Sequence, residues 1–579
     1  MKALIFNSGI GKRMGALTAH APKSMAHLYN DETIFERQIR LIQEAGIREV
    51  VITTGPYPEM IKEVCNKECF QNMHFVFSYN EKYDQTNYIY SMYNAREYLN
   101  DDVIMMHGDL VFDRTLIPSM LKNKKNDLCL INKIKALPEK DFKGRIIDGT
   151  LREVSINIFE GNCYAFQPLY KLSRATITKW VDNVIKFIDK GIVSVYAENA
   201  LNEISNQLSI FPMSYINHFI DEVDNPNDLE RVSKLIEQWD AKTQVIYRSS
   251  LLKSKINSLL LNINAKNPLF IVDSFLTNKI GKQFNHPAIF SNFTSNPKYE
   301  EMLSGLTLFK EKKCDAIISI GGGSCIDVAK TIKLSLNSNL ESDVPTFKQK
   351  YQHTSIKHIT VPTTSGTGSE STRHSVLYLN GEKQSISNSA ILPEYVILHS
   401  NFIVTVPDYQ KKCTAMDAFC QCVESLWSRK ATKESKKYAL KGIKLFEKSY
   451  QGYINNNTEE IKAIQTAANL SGKAINISET TAGHAMSYKI TSLYGIPHGH
   501  AVAMTMNSIL QNCKVKTLFN GVDIKVLFFE VTKYFGLNLQ LNEHLNDLQI
   551  LTESVNTVRL KNFKYKINIK KCYLSILSW

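Results

Sequence analysis

The chain has 579 residues, 44% of them hydrophobic and 22% charged; at ~100–200 residues per domain it has room for three or four domains, and the composition excludes a mostly disordered or fibrous protein. Lys and Arg number 69 against 56 Asp and Glu, a formal charge of +13. The lysines are dispersed rather than blocked, which argues against nucleic acid as a partner and fits small anionic substrates.

In chain order, the apolar run KALIF (residues 2–6) reads as a strand that opens into NSGIGKRMGALTAHAPKSM, Asn7 to Met25. Gly9, Gly11 and Gly15 permit a tight backbone approach, and the N–H groups of such a loop can hold phosphate oxygens. Arg13 and Lys23 supply the positive charge a triphosphate needs. The loop is neither a Walker loop, since no G-K-[ST] closes it, nor a dinucleotide fingerprint. Residues 36–55 read as a helix, a stop at Gly46 and a strand. VIMMHGD then ends a second apolar strand at Asp109, where a side chain reaches a cleft. Residues 224–244 read as a turn, a polar helix and an exit, which places the main boundary near 240–245. DAIISI (315–320) opens a second glycine turn, GGGSCIDVAK. After about 401 the pattern is helical over 408–427, 432–450 and 458–476. The closing KNFKYKINIKKCYLSILSW is basic and weakly patterned.

The first half, from 1 to about 235, resembles the nucleotidyltransferases of the cytidylyl and sugar-nucleotide type. The carriers are G-x-G-x-R-M followed by P-K, then YDQTNYIYSMYNARE (83–97), VIMMHGDLVFD (103–113) and LPEKDFKGRI (137–146). The last three are similar to cytidylyltransferases that act on phosphocholine or small phosphonates. The resemblance implies CTP as substrate and Mg²⁺ held by Asp109 and Asp224, with Arg13 and Lys23 on the triphosphate. Asn87, with Tyr88, would frame the base or the acceptor. Lys140, Lys143 and Arg145 are candidates for the acceptor's charged head, or equally a solvated basic loop.

GGGSCIDVAK (321–330) and PTTSGTGSEST (362–372) together resemble the iron-containing (group III) alcohol dehydrogenases, from about 245 to at least 510. Gly321, Gly322, Gly323, Ser324, Asp327 and Lys330 in the first loop, and Thr363, Thr364, Ser365 and Thr367 in the second, are the expected cofactor contacts. Asp273, ending the strand LFIVD, can accept from ribose hydroxyls and would repel a 2′-phosphate, which favours NAD(H) over NADP(H). Asp417 and Gln421 lie at i and i+4 on one helix face. The family binds Fe²⁺ or Zn²⁺ through one Asp and three His. Asp417, His484 and His498 match, while Gln421 stands where the third His is expected, as a weak ligand or a sign of a three-ligand site. Tyr488 replaces a second His that serves as proton relay in other members, with Tyr488 or His500 as its substitute.

The fold class expected is therefore α/β. A Rossmann-like, GT-A-like nucleotidyltransferase domain occupies 1–240 and an α/β dinucleotide-binding subdomain 245–400. A helical metal-binding subdomain, possibly truncated, follows over 401–579. DAFCQCVESLWSRKATKESKKYA, NLSGKAINISETTAGHAMSY and YGIPHGHAV resemble the phosphonoacetaldehyde reductase branch. The function expected is bifunctional. Phosphonoacetaldehyde would be reduced to 2-hydroxyethylphosphonate, and CTP would then cytidylylate the phosphonate. Alternatives are a phosphocholine or 2-aminoethylphosphonate cytidylyltransferase fused to a generic alcohol dehydrogenase, or a reductase half that serves as a binding or dimerisation module. A homodimer is left open.

No window approaches the ~18 apolar residues of a membrane span, and the run after Lys2 is too short for a signal peptide. The eleven cysteines include no C-x-x-C pair, so reduced thiols and a cytoplasmic location are expected.

Overall fold

The computed structural model describes residues 1–29, 32–240, 243–285, 287–336, 356–541 and 545–577. The chain is α/β and divides into two units, one of Met1–Val245 with Asn257–Lys266, the other of Ile246–Ile256 with Asn267–Trp579. The stretch Asn257–Lys266 clusters with the first unit although it follows the first residues of the second in sequence. Within that unit, Asn262 donates from Nδ2 to the Glu44 carbonyl at 3.1 Å, and Asn72 donates to the Leu261 carbonyl at 2.8 Å.

In the first unit the central strand Lys2–Asn7 is flanked in parallel by Glu49–Thr54 and Val103–His107. His74–Tyr79 extends the sheet on one side; Cys163–Leu172, Leu128–Asn132 and Phe211–Ser214 extend it on the other. Ala3, Leu4, Ile5, Val50, Val51, Ile104 and Met106 are fully or almost fully buried, the mark of strands covered on both faces. The helix Ile34–Glu44 starts at Thr33, whose hydroxyl accepts from the Glu36 N–H, and stops at Gly46 with φ +90°.

A small antiparallel pair, Leu110–Phe112 with Ile220–Glu222, sets Glu222 opposite Leu110. The Val223 N–H then donates to the Asp109 carbonyl at 3.1 Å. This pairing carries Asp224 across more than a hundred residues of sequence to Asp109. The helix Pro226–Asp240 follows, and Asp240 accepts two hydrogen bonds from buried Arg37, at 2.7 and 2.8 Å.

In the second unit a six-stranded sheet runs in the order Val245–Arg248, Tyr395–Leu398, Lys357–Pro362, Ala316–Gly321, Pro268–Val272, Ala288–Phe290. Helices Asp408–Trp427, Lys433–Ile454, Thr458–Ser478, Ala482–Tyr494 and His498–Asn512 follow, close to the expected helical segments. The tail that the sequence left without a role ends in the helix Ile569–Leu577. Its Cys572, Tyr573, Ile576 and Leu577 are buried in one core with Met486, Ile490 and Met504. The Tyr573 hydroxyl donates to the Met486 carbonyl at 2.8 Å. No helix among the described residues is long and apolar enough to cross a membrane.

Candidate active sites

The first site lies at the carboxyl ends of the central strands, where open α/β sheets bind ligands. A cleft of about 300 Å³ is lined by Gly9, Gly11, Arg13, Lys23, Asn87, Asp109 and Asp224, among others. Gly108 lets Asp109 enter it, since a Cβ there would stand 2.7 Å from the Phe6 carbonyl oxygen. The Lys23 ammonium donates to Asp109 Oδ2 at 2.7 Å and to Asp224 Oδ1 at 2.6 Å. Arg13 grips both oxygens of Asp224 at 2.9 Å. Burial works to lower the Lys23 pKa, but Asp109 and Asp224 outweigh it and hold the ammonium above its ordinary range. Burial likewise works to raise Asp109, and Lys23 overrides it and keeps the carboxyl below its usual range.

Two acids that sequence reasoning gave no role join this pair. Asp141, Glu222 and Asp224 each place a ligand oxygen within 4.8 Å of the others. Glu222 is pushed well up by burial and by Asp109, Asp141 and Asp224. Asp109 Oδ1 and Glu222 Oε1 are buried with no hydrogen-bond partner. Orphaned carboxylate oxygens converging in one cleft fit a hard divalent cation such as Mg²⁺. The i, i+2 spacing of Glu222 and Asp224 at a strand end was the available signal.

The expected basic acceptor contacts are corrected. Lys140 is exposed and not part of the cleft lining. Lys143 is fully buried, and its ammonium donates to the Glu139 and Ile156 carbonyls at 3.1 and 2.5 Å. Arg145 pairs with Glu153 at 2.9 Å. The segment therefore contributes Asp141 to the acids instead of lysines to an acceptor. Asn87 caps the helix Tyr88–Ala95, accepting from the Tyr88 N–H at 2.8 Å. The Tyr88 ring packs on Phe6 and on His107, at 5.1 and 4.6 Å between centroids.

The second site is assembled on helices. Asp417, His484 and His498 bring one ligand atom each within 4.8 Å of one another. Gly499 makes this possible: a Cβ there would lie 2.0 Å from the Cys413 carbonyl oxygen and 3.0 Å from Asp417 Cβ. The His484 Nε2 lies 3.2 Å from Asp417 Oδ1, while its Nδ1 is held by Glu424 Oε2. Glu424 also accepts from the Thr481 N–H and hydroxyl, both at 2.9 Å. Glu424 was missed by sequence reasoning, although it lies at i+7 from Asp417 on the same helix face. A buried carboxylate behind a ligating His fixes its tautomer and ring orientation, so the donor set fits a divalent transition metal.

Gln421, expected either as a weak ligand or as the mark of a three-ligand site, is held in a hydrogen-bond network beside Asp417. Its Nε2 donates to Thr367 O and to Asp417 Oδ1, both at 3.2 Å, and its Oε1 accepts from the Ser471 hydroxyl at 2.8 Å. His500, the alternative to Tyr488 for the relay, is bonded to Tyr409 at 2.8 Å and to the Asn538 carbonyl at 2.6 Å.

Asp273 accepts from the Gly322 N–H at 3.0 Å, and the Thr363 N–H donates to the Gly321 carbonyl at 3.0 Å. These bonds tie the two expected cofactor loops together. Gly323 faces Thr367, and Gly322 faces Thr364. Ser324 donates to the Ser295 carbonyl, and Ser365 is fully buried. Two other expected contacts prove to be braces. Lys330 is fully buried and donates to four oxygens of Ser369, Thr372 and His374. Asp327 accepts from the Ser369 hydroxyl at 2.7 Å and the Val376 N–H at 3.0 Å. Both hold the second loop in place, and the four oxygens around the buried Lys330 ammonium take up its donors.

Comparison with known proteins gives three family matches: nucleotidyl transferase over residues 2–139, iron-containing alcohol dehydrogenase over 242–400, and the C-terminal part of the iron-containing alcohol dehydrogenase family over 412–559. The 1,3-propanediol dehydrogenase of Klebsiella pneumoniae is 30% identical over 264 residues, covering 44% of this chain and 64% of that protein. The phosphonoacetaldehyde reductase of Streptomyces viridochromogenes is 27% identical over 211 residues, covering 34% of this chain and 53% of that protein. Among solved structures, the sulfoacetaldehyde reductase of Bifidobacterium kashiwanohense aligns with a TM-score of 0.54 at 20% identity, over 58% of this chain and 98% of that one. The chain thus joins an N-terminal nucleotidyl transferase domain to the domains of an iron-containing alcohol dehydrogenase, and phosphonoacetaldehyde reductase is among its homologues.

Proposed function

We propose that the chain is a bifunctional enzyme of phosphonate metabolism, which reduces phosphonoacetaldehyde with NAD(H) and joins CMP from CTP to the resulting phosphonate. The observation that carries this reading is the pairing, on one chain, of a cation-lined anion cleft with a buried Asp417–His484–His498 cluster in a homologue of phosphonoacetaldehyde reductase. A reductase of that kind makes a small anionic alcohol, and the first domain's cleft is suited to activating such an anion. Covalent linkage of consecutive steps raises the local concentration of the intermediate.

In the reduction, Asp417, His484 and His498 would hold the metal, which supplies Lewis acidity to the aldehyde oxygen. Glu424 keeps His484 oriented. NADH would supply hydride to the carbonyl carbon, becoming NAD⁺, and a proton from water or a nearby hydroxyl or imidazole would complete the alcohol. In the transfer, a phosphonate oxygen attacks the α-phosphorus of CTP; the new P–O bond forms as the bond to pyrophosphate breaks. Arg13 and Lys23 neutralise the triphosphate, so catalysis is positioning and charge compensation. Asp109, Asp141, Glu222 and Asp224 would hold Mg²⁺.

The test is ³¹P detection of products from phosphonoacetaldehyde, NADH, CTP and Mg²⁺ incubated together. The expected outcome is 2-hydroxyethylphosphonate followed by its CMP ester and pyrophosphate. Pyrophosphate release only with phosphocholine or 2-aminoethylphosphonate as acceptor would overturn the sequence of steps.

A further inference from the structure

Tyr488 sits one turn after His484, and its ring stacks on that of His498, with centroids 5.8 Å apart and planes within 7°. Two cations from separate elements converge on the same ring. Lys383, on the strand Glu382–Ser387, holds its ammonium 3.7 Å from the ring centre. Arg559, on the short helix Thr557–Lys561, holds its guanidinium carbon at 5.9 Å. Neither pairs with an acid among the described residues. Asp327 is near enough to act on Lys383, but its carboxylate is engaged by Ser369 and Val376. Arg559 donates to the Thr480 hydroxyl, which leaves its charge uncompensated.

One lysine over an aromatic ring is a common surface arrangement. Two like charges drawn to a ring that backs a metal-ligating histidine are different, because they repel each other. The cost is visible at Lys383: burial and the Arg559 charge push its ammonium down to about 8. Solvent still reaches Lys383, so an anion can too.

We infer that Lys383 and Arg559 form the seat of the aldehyde's anionic head, a phosphonate or sulfonate oxyanion, beside the Asp417–His484–His498 cluster. The inference rests on the reductase reading above and deepens it. A short aldehyde with its carbonyl at the cluster would extend along Tyr488 and end between the two cations. Arg559 offers a planar fork matched to two oxyanion oxygens, and Lys383 a point charge. An uncharged aldehyde leaves both cations unneutralised, so the seat selects for charge.

The test measures kcat/KM of the full-length, metal-loaded protein with NADH and phosphonoacetaldehyde, sulfoacetaldehyde or propanal. Lys383→Met and Arg559→Leu are each expected to lower the ratio of phosphonoacetaldehyde to propanal efficiency by ~10–100-fold, mainly through KM. Lys383→Arg should restore most of it. Because the readout is a ratio, general damage to the fold cancels. A second readout needs no turnover: calorimetric titration with ethylphosphonate should show binding to the wild type that weakens in both variants, and no binding to the wild type counts against the seat. If the wild type prefers the anionic aldehydes and neither variant changes the ratio, the seat is overturned while the reductase reading stands. If the wild type uses propanal better than both anionic aldehydes, the reductase reading itself falls. Parallel losses with phosphonate and sulfonate support a general oxyanion seat, and a loss with phosphonoacetaldehyde alone supports a phosphonate seat.

Discussion

The two sites solve the problem of gathering charge in opposite ways. In the first, the functional groups stand at strand ends, in loops or in short 3₁₀ turns, and the cations lie directly on the acids: Lys23 on Asp109 and Asp224, Arg13 on Asp224. In the second, the ligands come from three helices and are braced from behind by Glu424 and Gln421, while the cations Lys383 and Arg559 stand apart on Tyr488. A loop-built, self-neutralised cleft can rearrange as its ligands arrive. A helix-built cluster is set in place by packing and has little freedom to adjust.

The sharpest way to break this comparison is to remove one ligand from the rigid site. His484→Ala is expected to lower aldehyde reduction by at least ~10³-fold, since among the described residues the cluster holds only Asp417 and His498 besides it. NADH oxidation reads the loss, and CTP-dependent pyrophosphate release serves as the internal control; full reductase activity would remove the cluster from the mechanism. In the adaptable site, Lys23→Ala should lower nucleotidyl transfer by ~10²–10³-fold, the effect of losing one preorganised charge. Unchanged pyrophosphate release would refute the assignment.

The two glutamates that only the structure brought forward test the bracing. Glu424→Gln should weaken metal retention by ~10–100-fold, measured as metal content after dialysis, and wild-type retention would leave Glu424 a bystander. Glu222→Gln should raise the Mg²⁺ concentration for half-maximal transfer by ~10-fold, and an unmoved Mg²⁺ curve would exclude it from the cation site.

The smallest effect concerns stability alone. Glu198 is buried against the Tyr170 hydroxyl, which donates to it at 2.9 Å, and burial lifts its pKa from 4.5 to about 8. The raised folded value means that the unfolded chain loses this proton first. Its stabilising contribution is complete below about 4.5 and declines as pH rises to about 8, because the unfolded state binds fewer protons through that window. Glu198→Gln should flatten the fall in Tm of the first unit across that range; an equally steep fall in the variant would place the titration elsewhere.

How much could be read in advance follows the same division. The helical segments from 408 onward carry apolar residues at 3–4 spacing, so their helices and the Asp417–Gln421 face were legible. The glycine turns announced both strand-to-loop transitions. What escaped was anything fixed by long-range pairing. Glu222 and Asp224 reach Asp109 because Ile220–Glu222 pairs with Leu110–Phe112, a register no local pattern encodes, and Asp141 joins them from a segment some eighty residues away. Lys143 looked like a surface cation because its burial depends on carbonyls at Glu139 and Ile156. Lys330 looked like a cofactor contact because its partners, Ser369, Thr372 and His374, lie some forty residues downstream. The closing helix was obscured because its buried Cys572, Tyr573, Ile576 and Leu577 are preceded by a run of lysines that keeps the average hydropathy low.

The bridge from Lys23 to Asp109 and Asp224 has one more consequence for the proposed transfer. The resting cleft is already an internal salt, so neither partner of that salt is free to greet a newcomer alone. A bare magnesium ion that settles on the orphaned oxygens must share Asp109 and Asp224 with an ammonium already on them, and a bare nucleotide must pull the same ammonium off them. A chelate of the two arrives with both replacements in hand: its metal relieves the acids while its phosphates take over the lysine. Admission to this cleft is then a double exchange of partners, and the chelate is the species for which the exchange is electrically even.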